Sequence, residues 1–118
     1  MHRDFTYIDD VVEAMARLAD VVPGRSVKDC GRSDLAVPYR VYNVGNSSPV
    51  SLLYYISAIE KAAGLVAEKE LMPMQAGDVY MTYSDSTALR DAIGFTPSTP
   101  LAEGIEKTIK WFKAYHEL

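Results

Sequence analysis

The sequence predicts an α/β fold in which four main amphipathic helices accompany two or three short strands. Apolar residues recur at helical spacing in four separate segments. Only residues 39–44 have the β-branched and aromatic composition of a good strand. Because the backbone groups of a lone strand need partners, this pattern is typical of one side of a larger α/β protein.

The first helix is predicted over residues 8–19. Its candidate N-caps are Thr6, Asp9 and Asp10, since short polar side chains at a helix start accept hydrogen bonds from free backbone N–H groups. A Pro-Gly pair at positions 23 and 24 ends it. The predicted inward face consists of Val11, Met15, Leu18, Ala19 and Val22.

A long loop follows over residues 23–38, which are rich in Gly, Pro, Ser and Asp. We expect this loop to be a flexible, solvated connection, and a partner contact through its basic residues (Arg25, Lys28 and Arg32) is the alternative. The strand predicted over residues 39–44 is stopped by Gly45. A weaker strand is predicted over residues 68–72 and ends at Pro73.

Three further helices have clear boundary signals. The second is predicted from Ser51 as N-cap to Gly64 just beyond its last turn, and the third fits between Asp85 and Gly94. The last begins with Thr99 as N-cap and Pro100 at its first helical position. Its predicted buried residues are Leu101, Ile105, Ile109 and Phe112.

Composition and charge narrow the class of protein. The chain has 118 residues, enough for one domain, and 12 basic against 16 acidic residues give a net charge of −4, which argues against non-specific nucleic-acid binding. No apolar run is long enough for a membrane span, and the charged start is unlike a signal peptide. The single cysteine, Cys30, excludes an internal disulfide. We therefore expect a cytoplasmic protein that binds neither membrane nor nucleic acid.

The sequence lacks two signatures of dinucleotide-dependent redox enzymes, the Gly-rich phosphate turn and the Tyr-x-x-x-Lys pair in which the lysine lowers the tyrosine pKa for proton transfer. Its seven glycines never form a closely spaced Gly-rich turn, and no tyrosine is followed four positions later by a lysine. We expect no catalytic, cofactor-binding or metal-binding residue in this chain. The adjacent Asp9 and Asp10 are better explained as helix-start residues than as metal ligands.

Two segments suggest contact with a ligand. Arg3 lies just ahead of a helix start, a place suited to phosphate oxygens. The Gly77-Asp78 pair offers a tight turn and a carboxylate that can accept hydrogen bonds from vicinal hydroxyls. From these residues alone, an Arg3–Asp4 ion pair and an ordinary Gly-Asp turn remain alternatives.

Four blocks in this order resemble the C-terminal portion of nucleotide-sugar epimerases of the extended short-chain dehydrogenase/reductase family. They are RDFTYIDD (residues 3–10), YRVYNVGN (39–46), MPMQAGD (72–78) and GFTPSTPL followed by EGI (94–105). The long loop before residue 39 and the Met-Gln-x-Gly-Asp form resemble UDP-glucuronate 4-epimerases in particular. The resemblance implies that residues 1–118 form a substrate-binding segment without the Rossmann half, which would hold NAD and the catalytic Tyr-x-x-x-Lys.

The resemblance also implies roles for three residues. Arg3 would bind the substrate diphosphate, and Gln75 and Asp78 would contact the nucleotide. Galactose-epimerase relatives have an arginine at the position of Gln75, so the neutral side chain here puts a second phosphate contact in doubt. The segment would be inactive alone, would bind a UDP-sugar weakly or not at all in isolation, and would associate with the missing half or a second copy through the edge of strand 39–44.

Two other functions remain open at this point. One is a non-catalytic binding or interaction module from a truncated gene. The other is a portion of a related sugar-nucleotide dehydratase or decarboxylase, which would share the fold and the cofactor but yield a different product.

Overall fold

The computed structural model describes residues 1–22 and 40–117, and the fold is given for these residues. The predicted loop over residues 23–38, with Cys30, lies outside them. Within this part of the chain, no helix is long and apolar enough to cross a membrane. In chain order the elements are β1 (His2–Arg3), α1 (Ile8–Leu18), β2 (Val50–Ser51), α2 (Leu52–Ala63), α3 (Thr87–Ile93) and α4 (Leu101–Tyr115).

The short strand β1 is bonded on both sides. It pairs antiparallel with β2, with His2 opposite Ser51. On its other side, the backbone N–H of His2 donates to the carbonyl of Tyr80 (2.9 Å), and the His2 carbonyl accepts from the N–H of Thr82 (3.2 Å). These bonds alternate as in a parallel ladder. β1 therefore holds together segments that are far apart in the sequence.

The two strands predicted from composition are wrong for the described residues. Residues 40–44 and 68–72 contain no strand. Favourable composition is insufficient because a strand exists only when a partner satisfies its backbone groups, and the described residues supply no partner at either place. The exposed edge expected at residues 39–44 is therefore absent from the part described, although the α/β class with four helices is confirmed.

Helix α1 packs against α3, and the residue of α1 that is buried differs from the predicted ones. Ala14 is fully buried, as is Leu89 on α3. Met15, which was predicted to face inward, is 64% exposed. The face of α1 that points away from α3 therefore carries exposed apolar side chains, namely Ile8, Val12 and Met15.

Helices α2 and α4 pack against each other. The Nζ of Lys113 on α4 donates to the carbonyl of Ala63, the last residue of α2 (3.0 Å). Ile105 is buried as predicted, whereas Phe112 is 43% exposed and the prediction of its burial is wrong.

The helix boundaries were predicted best where local chemistry sets them. The Ser51 hydroxyl accepts from the N–H of Tyr54 (3.2 Å), and Gly64 adopts a left-handed conformation with φ of 73°, so both predicted ends of α2 are confirmed. The predicted start of α1 at Ile8 is confirmed, but the candidate N-caps Thr6, Asp9 and Asp10 are wrong, because the N-cap is Tyr7 without a side-chain hydrogen bond.

The start of α4 is displaced by one residue from the prediction. Pro100 is the N-cap, and Thr99 instead contacts the carboxylate of Asp10. That carboxylate accepts hydrogen bonds from the N–H of Ser98 (3.1 Å), the N–H of Thr99 (2.9 Å) and the hydroxyl of Thr99 (2.9 Å). Asp10 therefore fastens α1 to the start of α4 rather than capping its own helix.

Candidate functional site

The side chain of Arg3 lies at the foot of the loop that contains the Gly77-Asp78 pair. Its Nη1 donates to the carbonyl of Val79 (2.7 Å) and to the carbonyl of His2 (3.2 Å). Both bonds leave from Nη1, so among the described residues the opposite edge, formed by Nε and Nη2, makes no hydrogen bond. Two parallel N–H groups on one edge of a guanidinium are suited to bidentate contact with phosphate.

The loop itself is a tight turn whose backbone requires glycine at one position. The N–H of Asp78 donates to the carbonyl of Gln75 (3.1 Å), and Gly77 has φ of 95°. Residues 64–81 are exposed throughout. Within the described residues, the Gln75 amide and the Asp78 carboxylate make no hydrogen bond. The turn therefore presents a neutral amide and a carboxylate next to Arg3.

The structure thus bonds Arg3 to the residue that directly follows the turn of Gln75 and Asp78. Arg3 comes from β1 near the start of the chain, whereas Gln75 and Asp78 belong to the turn that ends one residue before Val79. The Arg3–Val79 hydrogen bond joins the two segments directly. The Arg3–Asp4 ion pair left open by the sequence does not form, because both side chains have other partners.

Asp4 fastens β1 to two loops. Its Oδ2 accepts from the N–H of Ser47 (3.0 Å) and of Ser84 (2.9 Å), and its Oδ1 accepts from the N–H of Ser48 (3.2 Å). The backbone N–H of Asp4 in turn donates to the hydroxyl of Thr82 (3.0 Å). Carboxylate acceptors form stronger hydrogen bonds than neutral ones, so Asp4 reinforces the short backbone pairing of β1 with the segments on both of its sides.

Close packing behind Asp4 depends on Gly45. The Ser86 hydroxyl, on a residue only 4% exposed, donates to the Gly45 carbonyl (2.8 Å) and accepts from the Gly45 N–H (3.1 Å). A Cβ at Gly45 would lie 2.2 Å from the Cβ of Ser84. Ser47 has φ of 55°, a strained value held by its bond to Asp4 and by its hydroxyl, which donates to the Ser84 carbonyl (2.7 Å).

Sequence reasoning missed this serine network. Its only signal was two short serine-containing runs, Asn46-Ser47-Ser48 and Ser84-Asp85-Ser86, which read as ordinary loop sequence. Their hydroxyls and N–H groups meet only in the folded chain. A cleft of about 240 Å³ borders this network, lined by residues that include Asp4, Gly45, Thr82 and Ser84.

A second cavity, of about 170 Å³, lies between α2 and α4 and is mainly apolar. The rings of Phe5 and Tyr55 stack on one side of it at a centroid distance of 4.1 Å, and Tyr7 packs over Gly104. Neither Arg3 nor any residue of the 75–78 turn lines it. It is therefore separate from the place where the predicted ligand contacts meet.

Displaced pKa values occur at three surface groups that stabilise local structure. A hydrogen bond from Lys69, supported by the N–H of Ala67, lowers the pKa of Glu60. The side chain and N–H of Thr87 lower the pKa of Asp85 at the start of α3. The contact with Glu103 raises the pKa of Lys107. None of these groups lies in the 75–78 turn.

Metal binding finds no support in the residues that the structure describes, where no three His, Cys, Asp or Glu side chains form a cluster. Asp10, one of the acidic pair noted in the sequence, uses its carboxylate to accept three hydrogen bonds from Ser98 and Thr99. Asp9 lies in the first turn of α1, where the helix dipole favours a negative charge.

Comparison with known proteins connects this arrangement to a family. No family model matches the sequence. An uncharacterized 37.6 kDa protein of Escherichia coli O111:H- is 45% identical over 100% of this chain and 36% of its own length. A probable UDP-glucuronate 4-epimerase of Rhizobium meliloti is 38% identical over 95% of this chain and 34% of its own length.

Comparison with solved structures points to the same class of protein as the sequence comparison. The solved structure of MoeE5 in complex with UDP-glucuronic acid and NAD superposes with a TM-score of 0.75 and 29% identity, over 95% of this chain and 33% of that protein. The chain thus has the fold of the C-terminal portion of nucleotide-sugar epimerases of the extended short-chain dehydrogenase/reductase family. Within that class it is homologous to UDP-glucuronate 4-epimerases, which confirms the resemblance predicted from the sequence. The chain spans about a third of the length of the curated relatives it matches.

Proposed function

We propose that this chain forms the substrate-side portion of an NAD-dependent nucleotide-sugar 4-epimerase of the UDP-glucuronate type. In this proposal residues 1–118 act as one substrate-binding segment. Arg3 binds the diphosphate of the nucleotide sugar, and Gln75 and Asp78 contact the nucleotide. A cytoplasmic location is part of the proposal and remains a prediction.

The observation that carries the proposal is the hydrogen bond from Arg3 to Val79. It brings the Arg3 guanidinium to the residue that follows a turn with hydrogen-bonding side chains, and the two segments are far apart in the sequence. Phosphate oxygens need the cation, and ribose hydroxyls need acceptors such as a carboxylate. A nucleoside diphosphate satisfies both, which fits the substrates named for the epimerase relatives.

The residues of this chain do not fit the NAD that the family implies. A dinucleotide site needs glycines in the turn between a strand and the following helix, so that the backbone can approach the pyrophosphate. Residues 4–7, which connect β1 to α1, contain no glycine, and α2 directly follows Ser51 at the end of β2. We therefore assign no reaction step to this chain and propose that it contributes binding contacts.

Titration of UDP into the 118-residue chain, followed by amide NMR, tests the proposal. We expect a dissociation constant on the order of 1 mM, because the chain supplies only part of the pocket. The amides of Arg3 and of the 75–79 segment should shift. Arg3→Ala should weaken binding by about thirtyfold, since a charged contact to phosphate is lost.

Arg17→Ala is the matched control. Arg17 is an arginine of the same charge, but it pairs with Glu13 within α1 (2.7 Å) and has no hydrogen bond to the turn. Its removal should leave UDP binding unchanged. Equal losses of UDP affinity in Arg3→Ala and Arg17→Ala would contradict the proposed site. So would the absence of any amide shift at UDP concentrations several times the expected dissociation constant.

A further inference from the structure

We propose that Asp4 is a positioning residue for the phosphate contact. Its carboxylate fixes the register of β1 against residues 80–84, and this register places the Val79 carbonyl where Arg3 can bind it. The inference rests on the proposed function, in which Arg3 contacts the diphosphate. Asp4 itself is not proposed to touch the substrate.

The register argument follows from four consecutive bonds between the two segments. His2 bonds Tyr80 and Thr82 through its backbone, and the N–H of Asp4 donates to the Thr82 hydroxyl. The Asp4 carboxylate then accepts from the N–H of Ser84 (2.9 Å). This last bond closes the ladder at the end farther from Val79, so the ladder is held at both ends.

A change of register would separate Arg3 from its loop partner. A slip by one residue moves a strand by about 3.3 Å along its neighbour. The Arg3–Val79 bond is 2.7 Å long and does not survive a displacement of that size. The backbone pairing of β1 with this segment is a single bridge, His2 opposite Met81, so backbone bonds alone give little resistance to such a slip.

The Asp4 carboxylate also prevents β1 and the 80–84 segment from shifting as a unit relative to the loop before β2. It accepts from Ser47 and Ser48, which lie just before β2. β1 is therefore held between two segments by one charged group. Losing that group leaves three N–H donors without their acceptor, two of them in partly buried bonds.

The chain contains a well-matched control for this inference. Asp10 is also a carboxylate that accepts three hydrogen bonds, but its donors belong to Ser98 and Thr99 at the start of α4. Removing either carboxylate should destabilise the chain to a similar degree. Only Asp4 is bonded to the segment that carries Val79.

The experiment compares UDP with uridine as probes of Asp4→Ala and Asp10→Ala. Uridine lacks the phosphates, so it reports nucleoside contacts only. We expect Asp4→Ala to weaken UDP binding by about tenfold and to leave uridine binding unchanged, with no effect of Asp10→Ala on either probe. In the Arg3→Ala background, Asp4→Ala should have no additional effect on UDP binding.

Equal losses for UDP and uridine in Asp4→Ala, or additive effects with Arg3→Ala, would overturn the inference, because both are expected of a purely structural role. Asp4→Asn covers the case in which Asp4→Ala does not fold. It retains one acceptor oxygen and should show the same selectivity at reduced size.

A measurement without nucleotide separates this inference from the proposed function. Hydrogen exchange of the Thr82 amide and the guanidinium NMR signals of Arg3 should change in Asp4→Asn and stay as in the unmodified chain in Asp10→Ala. Unchanged signals in Asp4→Asn would overturn the positioning role, whether or not UDP binds. Failure of the unmodified chain to bind UDP would contradict the proposed function alone.

Discussion

The Nη1 of Arg3 lies 2.7 Å from the carbonyl oxygen of Val79, so a hydrogen bond couples the position of β1 to that of the segment just after the exposed turn at Gly77. The Nη1 of the guanidinium binds the protein backbone, and its Nε and Nη2 make no hydrogen bond within the described residues. A change in the turn should therefore affect how Arg3 meets a phosphate.

Gly77→Ala should weaken UDP binding several-fold. The residue has φ of 95°, which costs a residue with a Cβ about 1–2 kcal/mol, so the turn should shift and move Val79 away from Arg3. Gly64→Ala is the control, because its φ is 73° but it ends α2. It should lower the free energy of unfolding by about 1 kcal/mol in urea titrations without altering UDP binding. The reverse pattern would contradict the coupling.

Gly45→Ala should destabilise the fold by about 1–3 kcal/mol. The added Cβ would lie 2.2 Å from the Cβ and 2.5 Å from the Oγ of Ser84, so that loop must shift. The double variant Gly45→Ala/Ser84→Gly removes both atoms and should recover part of the loss, while the Ser84 backbone keeps its bond to Asp4. Urea unfolding of the unmodified chain, Gly45→Ala and the double variant measures the free energy of unfolding. An absence of recovery in the double variant would show that the clash lies elsewhere.

Stability should fall on acidification partly through Glu60. Its pKa is lowered by the hydrogen bond from Lys69 and that from the N–H of Ala67, so the folded state favours the ionised form. The contribution is fully present above the ordinary value of 4.5 and is lost as the pH falls below it through the lowered folded pKa. The stability difference between the unmodified chain and Glu60→Gln should therefore shrink from pH 6 to about pH 3. A constant difference in pH-dependent unfolding would contradict the assignment.

The purified 118-residue chain should not convert UDP-glucuronate when NAD is added. It has no Gly-rich dinucleotide turn and no Tyr-x-x-x-Lys pair to move a proton. Chromatographic separation of UDP-glucuronate from its C4 epimer measures turnover, with a complete epimerase as the positive control. Turnover above the no-protein control would contradict the assignment of binding contacts alone.

The chain should self-associate at high concentration through the outer face of α1. Ile8 (61%), Val12 (56%) and Met15 (64%) are all exposed on that helix, and contiguous apolar surface of this kind favours association. In sedimentation velocity, the sedimentation coefficient should increase with protein concentration, and Val12→Gln should reduce this increase. Val66→Gln is the control, since Val66 is 89% exposed but lies in the loop after α2. A monomer at every concentration would contradict this prediction.

The sequence predicted helices better than strands, and the reason is the range of the interactions. Ser51 and Gly64 define α2 through contacts within a few residues, so composition was sufficient. Thr99 was misassigned because Asp10, distant in the sequence, competes for it. Residues 39–44 have good strand composition, but pairing depends on partners that no local pattern reveals.

The candidate site combines residues that the sequence singled out with contacts that the sequence did not reveal. Arg3 and Asp78 were identified by chemistry and resemblance, and the structure places them in adjacent segments. The role of Asp4 could not be read from the sequence, because its three donors are backbone N–H groups of Ser47, Ser48 and Ser84. Any residue type supplies a backbone N–H, so the sequence carries no signal for such a contact.

The central position of β1 has a consequence for folding kinetics. His2 must find both Ser51 and residues 80–82, which lie far from it in the sequence. Helices form on the microsecond timescale, whereas closing contacts of such high sequence separation is slow. During refolding the four helices should therefore appear before Arg3 reaches Val79, so the candidate site should assemble after the helices.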